Sequence, residues 1–171
     1  MIYRRITLFM AVISFMALTS CGFGYSLSGV SIPENIKTYQ VDFFQNQAAF
    51  VEPGIERTFT LQLQDLILNQ SSLDLVNKKG DYIYQGEITR FYIAPMTATS
   101  SNTASQNRVT IEVNLRFTNT KDDEASFEKK YSFFHDYDAN TQLQGAALDT
   151  ALEIIFDQIT QDIFTDTLAQ W

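Results

Sequence analysis

Arg108-Val109-Thr110-Ile111-Glu112-Val113-Asn114-Leu115-Arg116-Phe117-Thr118 is the stretch that decides how this chain folds. Val109, Ile111, Val113, Leu115 and Phe117 share one parity; Thr110, Glu112, Asn114, Arg116 and Thr118 share the other. Successive strand side chains point to opposite faces, so the pattern is that of a half-buried antiparallel strand with one dry side and one wet side. A sheet built from such strands has to cover its dry face.

Upstream, residues 81–93 form a long aromatic strand with Tyr82, Tyr84, Ile88, Phe91 and Tyr92. Its alternation is regular to Ile88 and slips beyond Thr89, which predicts a bulge or twist there. Gly86 marks a place where another backbone or a large ring comes close. Pro95 is expected to end the strand. Residues 97–107 carry no charge and nothing large. They read as a hairpin loop, and their length leaves a contact role open. Downstream, a charged turn over 119–124 leads to a last strand at 127–137, with Phe127, Tyr131, Phe133 and Tyr137 on its apolar side.

Two segments have helical spacing. In the first, Pro53 suits an initial helical position, and Ile55, Phe59, Leu63, Leu66 and Ile67 recur up to Asn69. In the second, Thr141 and Gln144 match a capping box. Leu148, Leu152, Ile155, Ile159 and Ile163 form its stripe, widened by Phe156 and Leu168. Asp149, Glu153 and Asp157 make an acidic ridge beside it; like charges at that spacing repel, so the ridge must be solvated or meet a basic partner, and the solvated reading is favoured. Residues 38–44 and 73–76 are further strands, the latter followed by a turn at 77–80. The connections after residue 73 look too short for crossovers, so these strands should be antiparallel neighbours. The expected fold is α+β: a two-layer sandwich with two helices on one face of a four- to five-stranded, mostly antiparallel sheet.

The N-terminus has a different character. Arg4 and Arg5 precede an apolar run from Ile6 to Leu18 that is too short, at about 1.5 Å per helical residue, to span a ~30 Å hydrocarbon core. Leu18-Thr19-Ser20-Cys21 resembles the lipobox of bacterial lipoproteins, which implies cleavage before Cys21 and diacylglycerylation of its thiol. Cys21 is the sole cysteine in the sequence, so no internal disulfide competes for it. Residues 1–20 are thus expected to be a lipoprotein signal peptide, 21–37 a lipidated tether and lead-in strap, and 38–171 one domain. Gly22 after the cysteine, with no acidic run, favours delivery to the outer membrane with the body in the periplasm.

Loss of the first twenty residues removes two of twelve bases and none of twenty acids, leaving a formal charge of −10. That balance argues against nucleic acid, whose binding rests on clustered Lys and Arg. It also leaves membrane attachment to the acyl chains. Catalytic chemistry is scarcely represented. His135 is the one histidine and falls on the apolar parity of its strand. With one histidine and one cysteine, a zinc site would need carboxylates alone, and no Gly-x-Ser-x-Gly turn presents a serine. The acids at 122–124 read as a solvated turn. The expectation is a binding or assembly protein with no cofactor, not an enzyme.

Several stretches carry a more specific resemblance. Cys21-Gly22-Phe23 is followed by Tyr25-Ser26-Leu27, then Ile36-Lys37-Thr38 and Val41-Asp42-Phe43-Phe44-Gln45-Asn46. Asp81-Tyr82, Gly86-Glu87-Ile88, Arg108-Val109-Thr110-Ile111 and a closing helix ending at Ile163-Phe164 come later in the same order. In this ordering the chain resembles the LptE family of lipopolysaccharide-assembly lipoproteins. The resemblance implies a periplasm-facing outer-membrane lipoprotein that plugs the β-barrel of a partner, LptD, helps assemble it and passes lipopolysaccharide to the outer leaflet. It further implies basic lipopolysaccharide contacts near the loop end of the sheet. The 97–107 loop has no base; Arg108 at its edge is the nearest, with Arg90, Lys129, Lys130, Lys78 and Lys79 as weaker candidates. Thr99, Asn102 and Ser105 are the candidate partner contacts. The alternatives are a general lipoprotein chaperone or pilotin for another outer-membrane complex, and a lipid carrier.

The lipobox generates the first test. Cells fed a fatty-acid analogue should label the wild-type chain at Cys21, and Cys21→Ser should be unlabelled and lost from the membrane fraction. Equal labelling of both would contradict the assignment.

Overall fold

The computed structural model describes residues 32–49, 52–96 and 105–169. The expected signal peptide, Cys21, most of the expected tether, and Thr99 and Asn102 lie outside them. In chain order the elements are β1 (Thr38–Val41), β2 (Gln45–Asn46), α1 (Ile55–Gln70), β3 (Asp74–Leu75), β4 (Tyr82–Met96), β5 (Gln106–Asn119), a 3₁₀ turn (Asp123–Ala125), β6 (Phe127–Asp138) and α2 (Ala146–Leu168).

The centre is the β4–β5–β6 meander. β5 pairs antiparallel with β4 from Tyr82↔Asn119 to Met96↔Gln106, and with β6 from Phe117↔Phe127 to Gln106↔Asp138. The β4–β5 register shifts between Ile88 and Arg90, so Thr89 is the extra residue that the broken alternation indicated. Pro95 does not end β4, which continues to Met96 opposite Gln106. Among the described residues β4 has no neighbour on its other side beyond Ile88, and a proline is tolerated at such an edge.

The sheet is mixed rather than mostly antiparallel, and among the described residues it has six strands. β1 lies between β3 and β4 and runs parallel to both, with Tyr39 opposite Leu75 on one side and Tyr82 on the other. β2 continues along β4 after a break at residues 42–44, pairing Gln45 with Glu87. The connection from β3 to β4 therefore straddles β1, although it looked too short to do so. Gly80 makes the crossing possible: a Cβ there would stand 2.8 Å from the Cβ and backbone N of Gln40. Asp81 then clamps the passage. Its Oδ2 accepts from the N–H groups of Lys37 (2.9 Å) and Thr38 (3.0 Å) and from the Thr38 hydroxyl, and Oδ1 lies 3.0 Å from Lys121 Nζ. The Lys37 N–H, followed by the Lys121 ammonium, holds this carboxyl well below the usual range.

Both helices cover the same sheet face. Tyr39 OH donates to the Gln64 carbonyl of α1, and Tyr84 OH and Thr167 Oγ1 of α2 are 3.1 Å apart. Phe59 of α1 joins the layers, edge-on to Phe44 at 5.0 Å and to Phe156 of α2 at 5.2 Å. The predicted stripes hold: Ile55, Phe59, Leu63 and Ile67 in α1, and Leu148, Leu152, Ile155, Ile159 and Ile163 in α2, are buried, while Leu66 is partly so. The helix starts differ from expectation. Gly54, with φ +94°, caps α1 and leaves Pro53 in the preceding turn. Gly145, not the Thr141 capping box, precedes α2, and Thr141 is held in a turn by its N–H on the Asp138 carbonyl.

Core truncation checks this packing. Phe59→Ala should lower unfolding free energy by about 3–5 kcal/mol in a denaturant titration. Gly86→Ala should do worse, because its Cβ would stand 2.1 Å from the Asn114 carbonyl oxygen and 2.6 Å from the Phe44 ring. Exposed Asp157→Ala should change stability by less than ~0.5 kcal/mol.

Candidate functional site

Among the described residues no element covers the sheet face opposite the helices. Its polar parity could therefore remain wet, but the side chains instead bind one another across the strands. Glu87 on β4 accepts from Asn114 Nδ2 (2.9 Å) and from Arg116 Nη1 (3.1 Å), and its second oxygen lies 2.9 Å from Arg116 Nη2. Asn114 also donates to Glu128 of β6 at 2.6 Å. Asp42 accepts from Gln40 and from Gln85. The Arg116 guanidinium holds the Glu87 carboxyl below its ordinary value, outweighing the opposing effect of burial.

Towards the loop end, β4–β5–β6 keep pairing while burial fades. Ile93, on the helix-side parity, is 44% exposed, and Tyr92, Met96 and Phe134 are exposed as well. Arg108 lies in this region. It makes a two-pronged contact with Asp136, Nε to Oδ1 at 2.7 Å and Nη2 to Oδ2 at 2.8 Å, and its guanidinium stacks 3.6 Å from the Phe134 ring centroid. The hydrogen bonds with Asp136 raise the arginine pKa, and the guanidinium holds the aspartate below its usual range. The result is an aromatic, charge-compensated surface without a basic cluster.

The six candidate bases do not converge. Arg108 alone borders the loop. Arg90 faces Glu112 across the strands at 3.5 Å, further from the loop. Lys129 and Lys130 lie toward the start of β6, away from the loop, and on opposite faces, and Lys129 is held by Asp166 at 2.6 Å. Lys78 and Lys79 precede the start of β4 and are thus at the far end, about 45 Å of strand from the loop. Ser105 is exposed beside β5, and its carbonyl accepts the Ala139 N–H at 2.9 Å. Gln106 and Asn107, assigned to the loop from sequence, belong to β5. His135 sits partly buried opposite Val109. Among the described residues no three His, Cys, Asp or Glu side chains cluster to hold a metal.

Sequence reading missed the Glu87–Asn114–Arg116–Glu128 network, whose members come from three strands. The signal lay in the polar parity of β5, where Asn114 and Arg116 alternate with the apolar residues.

Residues 36–167 match the sequence model of the LptE family, described as lipopolysaccharide-assembly. No curated protein matches the chain. Among solved structures, a hypothetical protein from Chlamydia trachomatis is similar at 7% identity and a TM-score of 0.52, covering 79% of this chain and 99% of its own. The PelC dodecamer protein of Paraburkholderia phytofirmans has 7% identity and a TM-score of 0.50, with 83% and 94% covered. A minor lipoprotein from Acinetobacter baumannii has 11% identity and a TM-score of 0.45, with 77% and 95% covered. At such identities the likeness concerns the fold alone.

The outer-face network has a pH signature. The Glu87 carboxyl is held below its unfolded value of ~4.3, so its contribution is complete above that pH and lost as pH falls through the folded value. Glu87→Gln should cost about 1 kcal/mol at neutral pH, discounted for the solvent reaching Arg116. The gap from wild type should stay level between pH 7 and about 5 and narrow below about 4. A gap that widens on acidification would contradict the assignment.

Proposed function

The chain belongs to the LptE lipopolysaccharide-assembly family, and on that premise we propose that it is an outer-membrane lipoprotein that plugs the β-barrel of LptD and helps assemble it for lipopolysaccharide delivery. The observation that carries this reading is the family match across 36–167, which takes in every strand and most of α2. Two features of the surface support it. On the open sheet face the charges of Glu87, Arg108, Arg116 and Asp136 are satisfied laterally, so these groups can lie against the polar lumen wall of a barrel without being stranded as ions. The loop end exposes Tyr92, Ile93, Met96 and Phe134, the aromatic and apolar groups that anchor protein interfaces.

The proposed role is assembly and contact, not catalysis. The interior is filled by one continuous set of side chains from both helices and the sheet, which favours a plug over a lipid carrier. In this reading acyl groups on Cys21, at the lipobox-like run 18–21, supply the anchor; no helix of the described residues is long and apolar enough to cross a membrane. The small uncharged side chains around Thr99, Asn102 and Ser105 suit a polar barrel wall, because they order at modest entropy cost and bring no unpaired charge.

Photo-crosslinkers placed singly at Thr99, Asn102 and Ser105 should capture one large membrane protein, whereas Asp157 on the α2 ridge should capture it weakly or not at all. Removal of residues 97–104 should leave the domain folded and weaken recovery of that partner. No membrane crosslink, together with normal surface lipopolysaccharide after depletion, would transfer support to the general-chaperone alternative.

A further inference from the structure

The two outermost strands of the sheet differ in character. One is β3, only two residues long and so a poor template for an added strand. The other is β6, which follows β5 in one unbroken register from Phe127 to Asp138 and contains neither bulge nor proline. Among the described residues no strand pairs with its free side. Alternate backbone N–H and C=O groups of β6 therefore point away from the sheet, available to another strand.

Charge along β6 is uneven. Lys129 and Lys130 lie toward its start, and Asp136 and Asp138 at its end. Lys129 is held by Asp166 and Asp136 by Arg108. Glu128, Lys130 and Asp138 remain, all exposed on the outer face and without an ion pair among the described residues; Glu128 accepts from Asn114 and Asp138 from Asn140. The Phe134 ring on the same face is capped by Arg108 yet still 41% exposed.

An antiparallel copy of the strand presents this sequence in reverse. Setting Phe134 opposite Phe134 brings each Lys130 opposite Asp138 of the other copy, Tyr131 opposite Tyr137 and Ser132 opposite Asp136, with no like charges facing. Setting Phe133 opposite Phe133 instead confronts Glu128 with Asp138, so charge selects the first register. That register also conserves parity, which merges the two sheets with both helix layers on one side.

We propose that β6 is a self-association edge at which two copies of this chain pair antiparallel about a two-fold axis at Phe134. The inference does not depend on the barrel reading. The contact is one strand wide, at the small end of specific interfaces, so the dimer is weak and concentration-dependent.

Sedimentation of the full chain in detergent, from about 1 to 100 µM, should show a monomer–dimer equilibrium, the range expected for a small interface. Lys130→Asp and Asp138→Lys should each weaken it about tenfold, since each turns two attractions into repulsions. The combined swap should restore it, and circular dichroism should report an unchanged fold for all three. Phe134→Cys should form an intermolecular disulfide on mild oxidation, and Thr118→Cys should not. A chain monomeric throughout, or a dimer indifferent to both reversals and without the Phe134→Cys disulfide, overturns the proposal. Capture of a different protein through Phe134→Cys, with no homodimer, overturns it too.

Discussion

The ring of Phe44 occupies the space where Gly86 would carry a side chain, and the rest of the fold is arranged around that contact. Phe44 is the last residue of the break that separates β1 from β2, and its backbone N–H is taken up by Thr60 Oγ1 of α1 at 3.1 Å. Its ring meets Phe59 of the same helix, which meets Phe156 of α2. At Gly86 itself the Asn114 carbonyl of β5 leaves no room for a Cβ. One residue without a side chain thus lets a parallel strand pair, two helices and the antiparallel meander share a single core. The break at 42–44 follows from the same demand, since the chain must leave the sheet to turn Phe44 inward and Phe43 out.

Coverage on one side only, among the described residues, is the consequence with functional weight. Two helices suffice for one sheet face, and the opposite face is left to satisfy itself. It does so with ion pairs and amide bonds that run between strands, in which Arg108, Arg116 and Arg90 are each matched by a carboxylate. Such a face offers shape and hydrogen bonding more than net charge. It is suited to lie against another protein, which accords with membership of a lipopolysaccharide-assembly family. Of the bases nominated from sequence, strand register commits Arg90 to Glu112 and Arg108 to Asp136, Lys129 is held by Asp166 of α2, and the three others lie away from the loop end, so the six form no anionic-ligand site.

Much of this was legible in the chain. Strict alternation from Val109 to Phe117 placed β5, the slip past Thr89 located the bulge, and a glycine amid aromatics at 86 marked the close approach. Helical stripes named the buried residues almost without error because burial periodicity is local. What failed was non-local or glycine-based. The parallel placement of β1 depends on Gly80 passing over Gln40, which sequence spacing does not reveal. Gly54 and Gly145 set the helix starts through positive φ, where Pro53 and Thr141 carried the more familiar signals. Pairings such as Arg108 with Asp136 emerge only once the β5–β6 register is known.

The central claim is that the loop end of the open sheet meets a barrel partner while the exposed side of α2 does not. Oxidative footprinting of the chain, free at low concentration and again in isolated outer membranes, tests it most directly. Tyr92 and Met96 should be modified in the free chain and protected in the membrane-assembled one, with exposed Ile154 on α2 modified in both. Unchanged modification of Tyr92 and Met96 with protection at Ile154 would contradict the account.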